Sequence, residues 1–359
     1  MTLKTIASCI MMGCGICTAA DSLSIQLFRT LAQETEGNFA FSPTGVENVL
    51  TSLKQYSAGA TLAELEALPM GQPATFNINT EQADGLFVST RLPLVPGVQG
   101  AVSINFGASA QAAQTINDWC AEHTHGLIKE LVQPSDFSEL TAFVATNAIY
   151  LKESWRFPFD PNDSFPGEFT TADGKTVPAN MMSCTAKFPA AKGEDWVAIA
   201  LPYAATSASG EPCYFIAISP TKDIRGFAAT LTEEKYLSII SKIDYARGQT
   251  RVIMPAFTID GAALNLNKAL QAAGLHKIFT EADFSRLTTC KTGIYLSKVL
   301  QKCYIKVDEQ GTEAAAATAA VANFRAMPRT VVLDRPFIWV IGSLSGTDTP
   351  LFMGIVEQP

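Results

Sequence analysis

Apolar side chains near the start of the chain recur every three or four positions. They predict an amphipathic helix over residues 22–34, with Ser22 able to cap its first turn and Gly37 placed to end it. Similar spacing predicts further helices over 44–56, 61–68, 116–131 and 266–273. The first half of the chain is therefore expected to be rich in helix.

Continuous apolar runs predict strands, and the longest covers residues 143–151. One amide, Asn147, interrupts this run, which is typical of a central strand covered on both faces. A buried amide needs hydrogen-bond partners, so we expect Asn147 to connect neighbouring elements. Other predicted strands are 38–43, 197–201, 213–218, 250–254, 294–307, 331–333 and 337–342. Because strands dominate the second half, the pattern favours an α+β fold.

Composition narrows the classes of partner. The chain has 359 residues, of which 47% are hydrophobic and 17% charged, and no linker or repeat divides it. We therefore expect one large domain over 21–359, acting as a monomer. A net charge of -8 argues against nucleic acid and heparin-like polyanions as partners, and favours a basic partner.

The first twenty residues differ from the rest. After Lys4, the stretch 5–20 has no charge and many small or apolar side chains, which indicates a secretory signal over 1–20. A mature amphipathic start is the alternative, and lipid anchoring through Cys14 is a variant of the signal interpretation. Export to the extracellular space or a periplasm is the expectation that follows.

The sequence offers little for catalysis or metal binding. Only His123, His125 and His276 are available as imidazole bases or ligands, and none lies in an HExxH pattern. Walker, Rossmann and Gly-x-Ser-x-Gly motifs are absent from the sequence. The five cysteines after the leader are widely spaced, which favours buried thiols, and the adjacent carboxylates Asp308 and Glu309 are expected to be solvated. We expect no enzyme activity, no cofactor and no metal.

One segment, 308–321, is unusual because acidic residues and Gly311 precede nine positions without a large side chain. Alanine favours helix. The same residues also alternate as two faces of a strand, with Thr312, Ala314, Ala316, Thr318 and Ala320 on one face. Pattern alone leaves both conformations open.

This hinge-like segment, followed by Val331–Ile341 and Leu351–Val356, resembles the C-terminal signature of the serpin family, which comprises serine protease inhibitors. The likeness extends over nearly all of the chain, and the trimmed body is similar to bacterial or viral members. It implies helices packed on a large mixed five-stranded sheet with two smaller sheets. It also implies an exposed reactive-centre loop at about 309–330.

The resemblance also implies a bait residue. In inhibitory serpins the cleaved bond follows a residue fourteen positions after the hinge glycine and eleven before the Pro-Phe of the signature. Counting from Gly311 and from Pro336 gives Arg325 both times. The reactive bond is therefore expected at Arg325–Ala326, with Asn323, Phe324 and Met327 contacting protease subsites. The loop hinge would comprise Glu309, Gly311, Thr312, Ala314, Ala316 and Thr318.

The implied function is single-use inhibition of a trypsin-like serine protease. Inhibition of Arg-specific cysteine proteases and a non-inhibitory binding or carrier role remain open. The family controls opening of its sheet at a shutter and a breach, which the resemblance maps to Asn38, Ser42 and Asn147 and to Trp155, respectively.

Two departures from the family pattern stand out. Gln301 replaces a histidine that is usual at the shutter, so pH sensing at that position is not expected. The short stretch between Pro69 and Asn105 lacks the helix that carries heparin-binding residues in vertebrate serpins, so heparin is not expected as a partner.

Overall fold

The computed structural model describes residues 21–73, 75–245, 248–290, 293–312 and 328–359. Within these ranges seven α-helices occur, and Ser22 and Ser42 cap the first two with their side chains. Short 3-10 turns cover Pro134–Asp136, Pro161–Asp163 and Lys277–Phe279. The helices are α1 (Leu23–Glu34), α2 (Pro43–Tyr56), α3 (Gly59–Ala67), α4 (Ser109–His123), α5 (Ile224–Ala229), α6 (Glu233–Ile240) and α7 (Asn267–Ala272).

Strands account for most of the remaining regular structure. In the described ranges they are β1 (Phe39–Phe41), β2 (Gln72–Pro73), β3 (Thr80–Ser89), β4 (Ala101–Ile104), β5 (Phe143–Leu151), β6 (Glu153–Ser154), β7 (Phe165–Thr170), β8 (Thr176–Ala186), β9 (Ala190–Lys192), β10 (Trp196–Thr206), β11 (Pro212–Pro220), β12 (Thr250–Pro255), β13 (Phe257–Ile259), β14 (Leu264–Asn265), β15 (Leu296–Val307), β16 (Gly311–Thr312), β17 (Arg329–Val332), β18 (Phe337–Gly342), β19 (Asp348–Thr349) and β20 (Phe352–Val356).

These strands form a central sheet and two smaller sheets, and β2 pairs separately with β19. The central sheet has five positions across: β4, β3, β5, β15 and an outer edge where β13 and β14 both pair with β15. The short strands β6 and β16 lie at one end of it. The other sheets have the orders β1-β20-β18-β11-β10-β9 and β17-β12-β8-β7. The serpin-like α+β architecture is thus confirmed.

The middle of the central sheet is a parallel pair, β5 and β15, which we call the seam. Its register places Phe143 opposite Leu296, Asn147 opposite Gln301 and Tyr150 opposite Tyr304. All nine residues of β5 are buried, as its apolar run predicts, because the sheet is covered on both faces. One covering cluster includes Ile116 and Cys120 of α4.

Most predicted elements are confirmed, but the helix expected over 116–131 spans Ser109–His123 instead. Thr124 ends it by donating its hydroxyl to the Cys120 carbonyl, and His125 and Gly126 then adopt positive φ angles of 51° and 77°. The expected dominance of helices in the first half is also incomplete, because β3 and β4 lie there. Several positions of β3 and β4 are polar or partly exposed, so the sequence has no continuous apolar run that would predict these strands.

Among the described residues, no helix is both long and apolar enough to cross a membrane. The described part of Pro69–Asn105 holds β2, β3 and β4 without a helix, consistent with the short segment noted in the sequence.

Candidate functional site

The predicted hinge begins as a strand, β16, at one end of the seam. Thr312 pairs with Val307 of β15 on one side and with Glu153 of β6 on the other, while Gly311 lies opposite Ser154. A Cβ on Gly311, whose φ is +156°, would lie 2.1 Å from the Glu153 carbonyl oxygen. Only glycine therefore fits between the two strands here.

Thr312 points into the protein. The side chain is fully buried, and its Oγ1 lies 2.7 Å from the hydroxyl oxygen of Tyr203 on β10. Burial raises the pKa of Tyr203 well above its ordinary value, so this phenol stays neutral and can donate. The pair satisfies two hydroxyls that would otherwise be unpaired in the core.

Trp155 holds the turn that precedes the hinge. Its indole Nε1 donates to the Asp308 carbonyl at 2.9 Å, and its backbone N–H donates to the Gln310 carbonyl at 3.0 Å. The ring stacks on Tyr203 with centroids 4.6 Å apart. Trp155 therefore connects the base of the predicted hinge to the core beneath Thr312.

Glu309 is attached rather than freely solvated, which corrects the expectation for this carboxylate. Its side chain accepts hydrogen bonds from Ser164 at 2.8 Å and from Asn180 at 3.3 Å, and its carbonyl accepts from Phe159 N at 2.8 Å. The neighbouring Asp308 forms an ion pair with Lys306 at 3.3 Å. The turn before Gly311 is thus anchored by both side chains.

A chain of polar groups, buried at Ser42, Gln301 and Asn147 and exposed at Asp84, crosses the seam near its middle. Gln301 Oε1 accepts from Ser42 N at 2.8 Å, and its Nε2 donates to the Ser42 carbonyl at 3.0 Å and to Asn147 Oδ1 at 2.7 Å. Asn147 Nδ2 donates to Asp84 Oδ1 at 2.6 Å. A Cβ at Gly45 would meet Asn147 Oδ1 at 2.5 Å, so α2 can approach closely only because this residue is glycine.

The structure brings Ser42 and Asn147 together through Gln301 but does not bring Asn38 to them. Asn38 Oδ1 accepts from the backbone N–H groups of Glu357 and Gln358, at 2.7 and 3.1 Å. Its side chain therefore binds the segment that follows β20. Sequence reasoning missed Asp84 and Tyr203. No local pattern marks either residue, because both join the site through pairing between distant strands.

The predicted loop residues Ala314, Ala316, Thr318, Asn323, Phe324, Arg325, Ala326 and Met327 lie outside the described residues. The structure does describe both attachments of this segment. Thr312 belongs to the central sheet, whereas Arg329 begins β17, which pairs in parallel with β12 in the four-stranded sheet. Residues 313–327 therefore connect two different sheets.

The described residues show neither a metal-binding cluster nor a reactive thiol at Cys120 or Cys303. No group of three or more His, Cys, Asp or Glu side chains within the described ranges could hold a metal ion. Burial raises the pKa of the Cys120 thiol to about 11 and that of Cys303 further, so these thiols are protonated and unreactive at neutral pH.

Comparison with known proteins agrees with this geometry. The family model for serpins (serine protease inhibitors) matches residues 98–359. Plasminogen activator inhibitor 1 of Neovison vison is 30% identical over 375 residues, covering 95% of this chain and 92% of that protein.

Two solved structures share the fold. Native protease nexin-1 with heparin has a TM-score of 0.78 at 24% identity, covering 94% of this chain and 97% of that chain. The thermophilic serpin Tengpin in the native state has a TM-score of 0.79 at 22% identity, covering 94% and 92% of the two chains. Because the first neighbour was solved with heparin, the relatives give no support to the expectation that heparin is not a partner. The family model matches most of the chain, and a relative 30% identical to it is aligned over 95% of its length. The chain therefore belongs to the serpin family of protease inhibitors.

Proposed function

We propose that the chain is a suicide-substrate inhibitor that traps a trypsin-like serine endopeptidase after cleavage at Arg325–Ala326. The observation that carries this proposal is the position of β16, where Thr312 already pairs with both β15 and β6. A strand that begins between these two strands can lengthen only by separating β5 from β15. This position of β16 supports the proposal that insertion starts at Gly311 and Thr312.

The registers on the two sides of β16 agree with each other. Thr312 lies opposite Val307 on one side and opposite Glu153 on the other. Val307 and Glu153 are as far apart in sequence as Gln301 and Asn147, which lie opposite each other across the seam. A strand that continues in this register would place Ala314 between Leu151 and Ile305. It would place Thr318 between Asn147 and Gln301. Insertion can therefore proceed without a register shift.

The small side chains of the hinge suit this path. Residues two apart along a strand share a face, so Ala314, Ala316 and Thr318 would follow Thr312 into the buried side of the sheet. Where Gln301 bonds to Asn147 across the seam, the Thr318 hydroxyl would donate to Asn147 Oδ1 and accept from Gln301 Nε2. It would then replace the bond that its arrival breaks, leaving no buried polar group unpaired.

The chemistry begins as ordinary proteolysis. A carboxylate in the protease's specificity pocket would pair with the Arg325 guanidinium. The protease serine oxygen would attack the Arg325 carbonyl carbon, and the C–N bond to Ala326 would break as the new amine takes up a proton. An acyl ester between the protease and Arg325 remains. Insertion of 312–325 would span roughly 45 Å, at about 3.3 Å per residue.

Trapping requires that insertion outruns hydrolysis of the ester. If the moving strand distorts the protease's oxyanion hole, hydrolysis slows by orders of magnitude. An Arg-specific cysteine protease would form a thioester at the same residue. A carrier protein would instead be cut at Arg325 without trapping. We also propose that residues 1–20 direct secretion, which would bring the inhibitor to an extracellular protease.

The test is incubation of the purified protein with trypsin, read by denaturing gel and intact mass. We expect an SDS-stable complex that Arg325→Ala abolishes. Replacement of an exposed arginine elsewhere, Arg286→Ala, should leave the complex unchanged. Clean cleavage after Arg325, with release of active trypsin and an unchanged melting temperature, would reject the inhibitory function. A thioester formed only with a cysteine protease would reject the serine-protease target.

A further inference from the structure

Three cations lie close together at the end of the four-stranded sheet where β17 begins. Arg329, the first residue of β17, lies opposite Thr250 of β12, and Arg251 follows Thr250 in the same strand. Thr250 also lies opposite Ala186, the last residue of β8, and Lys187 comes next in the chain. Because neighbouring strands are about 4.8 Å apart, the Cα atoms of the three cations lie within roughly 10 Å. We call Lys187, Arg251 and Arg329 the cationic end.

The charges of the cationic end are not paired with carboxylates. Arg251 Nε donates to Ser183 Oγ at 2.9 Å, and Arg329 Nη2 donates to the Ala190 carbonyl at 3.0 Å, so both guanidinium groups bind neutral acceptors. None of the ion pairs among the described residues includes a member of the cationic end. On β15, by contrast, each of three lysines pairs with an aspartate, namely Lys298, Lys302 and Lys306.

One acidic residue is attached to this part of the protein through hydrogen bonding. The Asp244 carbonyl accepts from Ala190 N at 3.0 Å, beside the carbonyl that Arg329 contacts. The Asp244 side chain is exposed and forms no ion pair with any described residue. Three cations therefore outnumber this carboxylate. The cationic end is locally positive in a chain whose net charge is -8.

The three cations surround the end of the sheet instead of lying on one face. Arg251 lies opposite Thr330, and Arg329 precedes Thr330, so successive side chains of β17 place Arg329 on the other face. Both arginines are exposed, and so is Lys187. A partner that covers the end of the sheet would therefore meet all three charges at once.

The length of chain between Arg325 and Arg329 limits how far a protease bound at Arg325 can lie from the cationic end. Four residues span at most about 14 Å. A typical protease–inhibitor interface covers about 800 Å² of each partner, which is the area of a disc of roughly 16 Å radius. A protease whose active site holds Arg325 would therefore cover Arg329. Arg251 and Lys187 would lie at the rim of the same contact.

A protein surface suits the cationic end better than a free polyanion does. Strong binding to a long polyanion commonly uses about 6–10 phosphate contacts, which need a longer stripe of basic residues. The cationic end offers three charges within roughly 10 Å. Charge complementarity then calls for a few carboxylates beside the active site of the protease. Rim charges of this kind mainly raise the rate of association.

We propose that Lys187, Arg251 and Arg329 form a second recognition surface, which binds an acidic patch beside the active site of the target protease. Arg325 alone does not distinguish among proteases that all cleave after arginine. The cationic end would favour those that carry carboxylates near the active site. This inference rests on the proposed function for the identity of the partner, and it adds a requirement on that partner's charge.

The test measures association with two trypsins that share their specificity but have opposite net charge, anionic and cationic trypsin. Each carries alanine in place of its catalytic serine, so binding is observed without cleavage or trapping. The inhibitor is the full chain. The test variant replaces the cationic end with neutral polar side chains by Lys187→Gln, Arg251→Gln and Arg329→Gln.

A matched control removes the same number of charges elsewhere. It carries Lys129→Gln, Lys277→Gln and Arg286→Gln, which replace three exposed residues outside the four-stranded sheet. Melting temperatures check that both triple variants are folded. If the test variant is destabilised, Lys187→Gln alone takes its place, because this side chain is exposed and follows the end of β8.

In about 100 mM salt we expect the test variant to associate with anionic trypsin about tenfold more slowly than the wild type, and Lys187→Gln alone about twofold more slowly. The ratio should fall toward one in about 1 M salt, because salt screens exposed charges. Association with cationic trypsin should not slow. The matched control should stay within about twofold of the wild type, because charges beyond a screening length of about 10 Å act weakly.

Two results would overturn the proposal. One is an equal rate of association for wild type and test variant with anionic trypsin in low salt. The other is equal slowing with both trypsins. Absence of binding to either trypsin would also overturn it. Loss of retention on heparin resin by the test variant, with its trypsin binding unchanged, would instead assign the cations to a polyanion.

Active trypsin separates this inference from the proposed function. If active trypsin cleaves after Arg325 without forming a complex, while the test variant still binds inactive anionic trypsin more slowly, the proposed function fails and the recognition surface stands. If a covalent complex forms but the association rates of wild type and test variant are equal, the recognition surface fails and the proposed function stands.

Discussion

Replacement of Gly311 by alanine tests whether the hinge occupies the sheet in the intact protein. The added Cβ would lie 2.1 Å from the Glu153 carbonyl oxygen and 2.9 Å from the Ser154 Cα. Ordinary C···O contacts are about 3.3 Å or more, so the strands would have to separate by roughly 1 Å. Both contacts are with backbone, which cannot turn aside. The expected result is displacement of β16 from β6.

The cost follows from what β16 contributes. Loss of one or two backbone hydrogen bonds costs about 0.5–1.5 kcal/mol each. The buried bond between Thr312 and Tyr203 adds about 1 kcal/mol if it is broken. An alanine at positive φ adds about 1 kcal/mol more. Gly311→Ala should therefore destabilise the native protein by about 2.5–5 kcal/mol.

The assay is equilibrium urea unfolding followed by circular dichroism, with Gly174→Ala as the control. Gly174 has a φ of +81°, and no atom lies within 4 Å of the position that an added Cβ would take, so its replacement carries the backbone cost alone. We expect a loss of about 1 kcal/mol for that control. Equal losses in the two variants would show that β16 is not held between β6 and β15, and the reasoning from the hinge would be refuted.

Three further changes probe the same region. Thr312→Arg would bring a charge against buried Tyr203, so we expect the variant to be cleaved as a substrate. A denaturing gel should show cleaved protein without complex, and persistent inhibition would count against insertion at this hinge. Trp155→Phe removes the bond to the Asp308 carbonyl and should cost about 1–2 kcal/mol by urea unfolding, and an unchanged midpoint would contradict this role. Gln301→Leu leaves Ser42 N–H unpaired and should cost about 2–3 kcal/mol by the same method, whereas a neutral effect would show that the seam tolerates the loss.

Local sequence was sufficient for elements whose pattern reflects their burial. The apolar run 143–151 predicts a central strand, and β5 has those bounds with every residue buried. The buried amide Asn147 was expected to connect elements, and it does so across β3, β5 and β15. Helix bounds were less reliable where termination depends on conformation, as after His123.

The candidate site itself depended on tertiary structure. The resemblance predicts a hinge at Gly311 and Thr312, but the place of these residues between β6 and β15 follows from strand pairing. Asp84 lies 63 residues from Asn147 and Tyr203 lies 109 residues from Thr312, so no local pattern could assign either residue to the site. Hydrophobic periodicity reports which face of an element is buried, whereas the register between strands decides which polar side chains meet on that face.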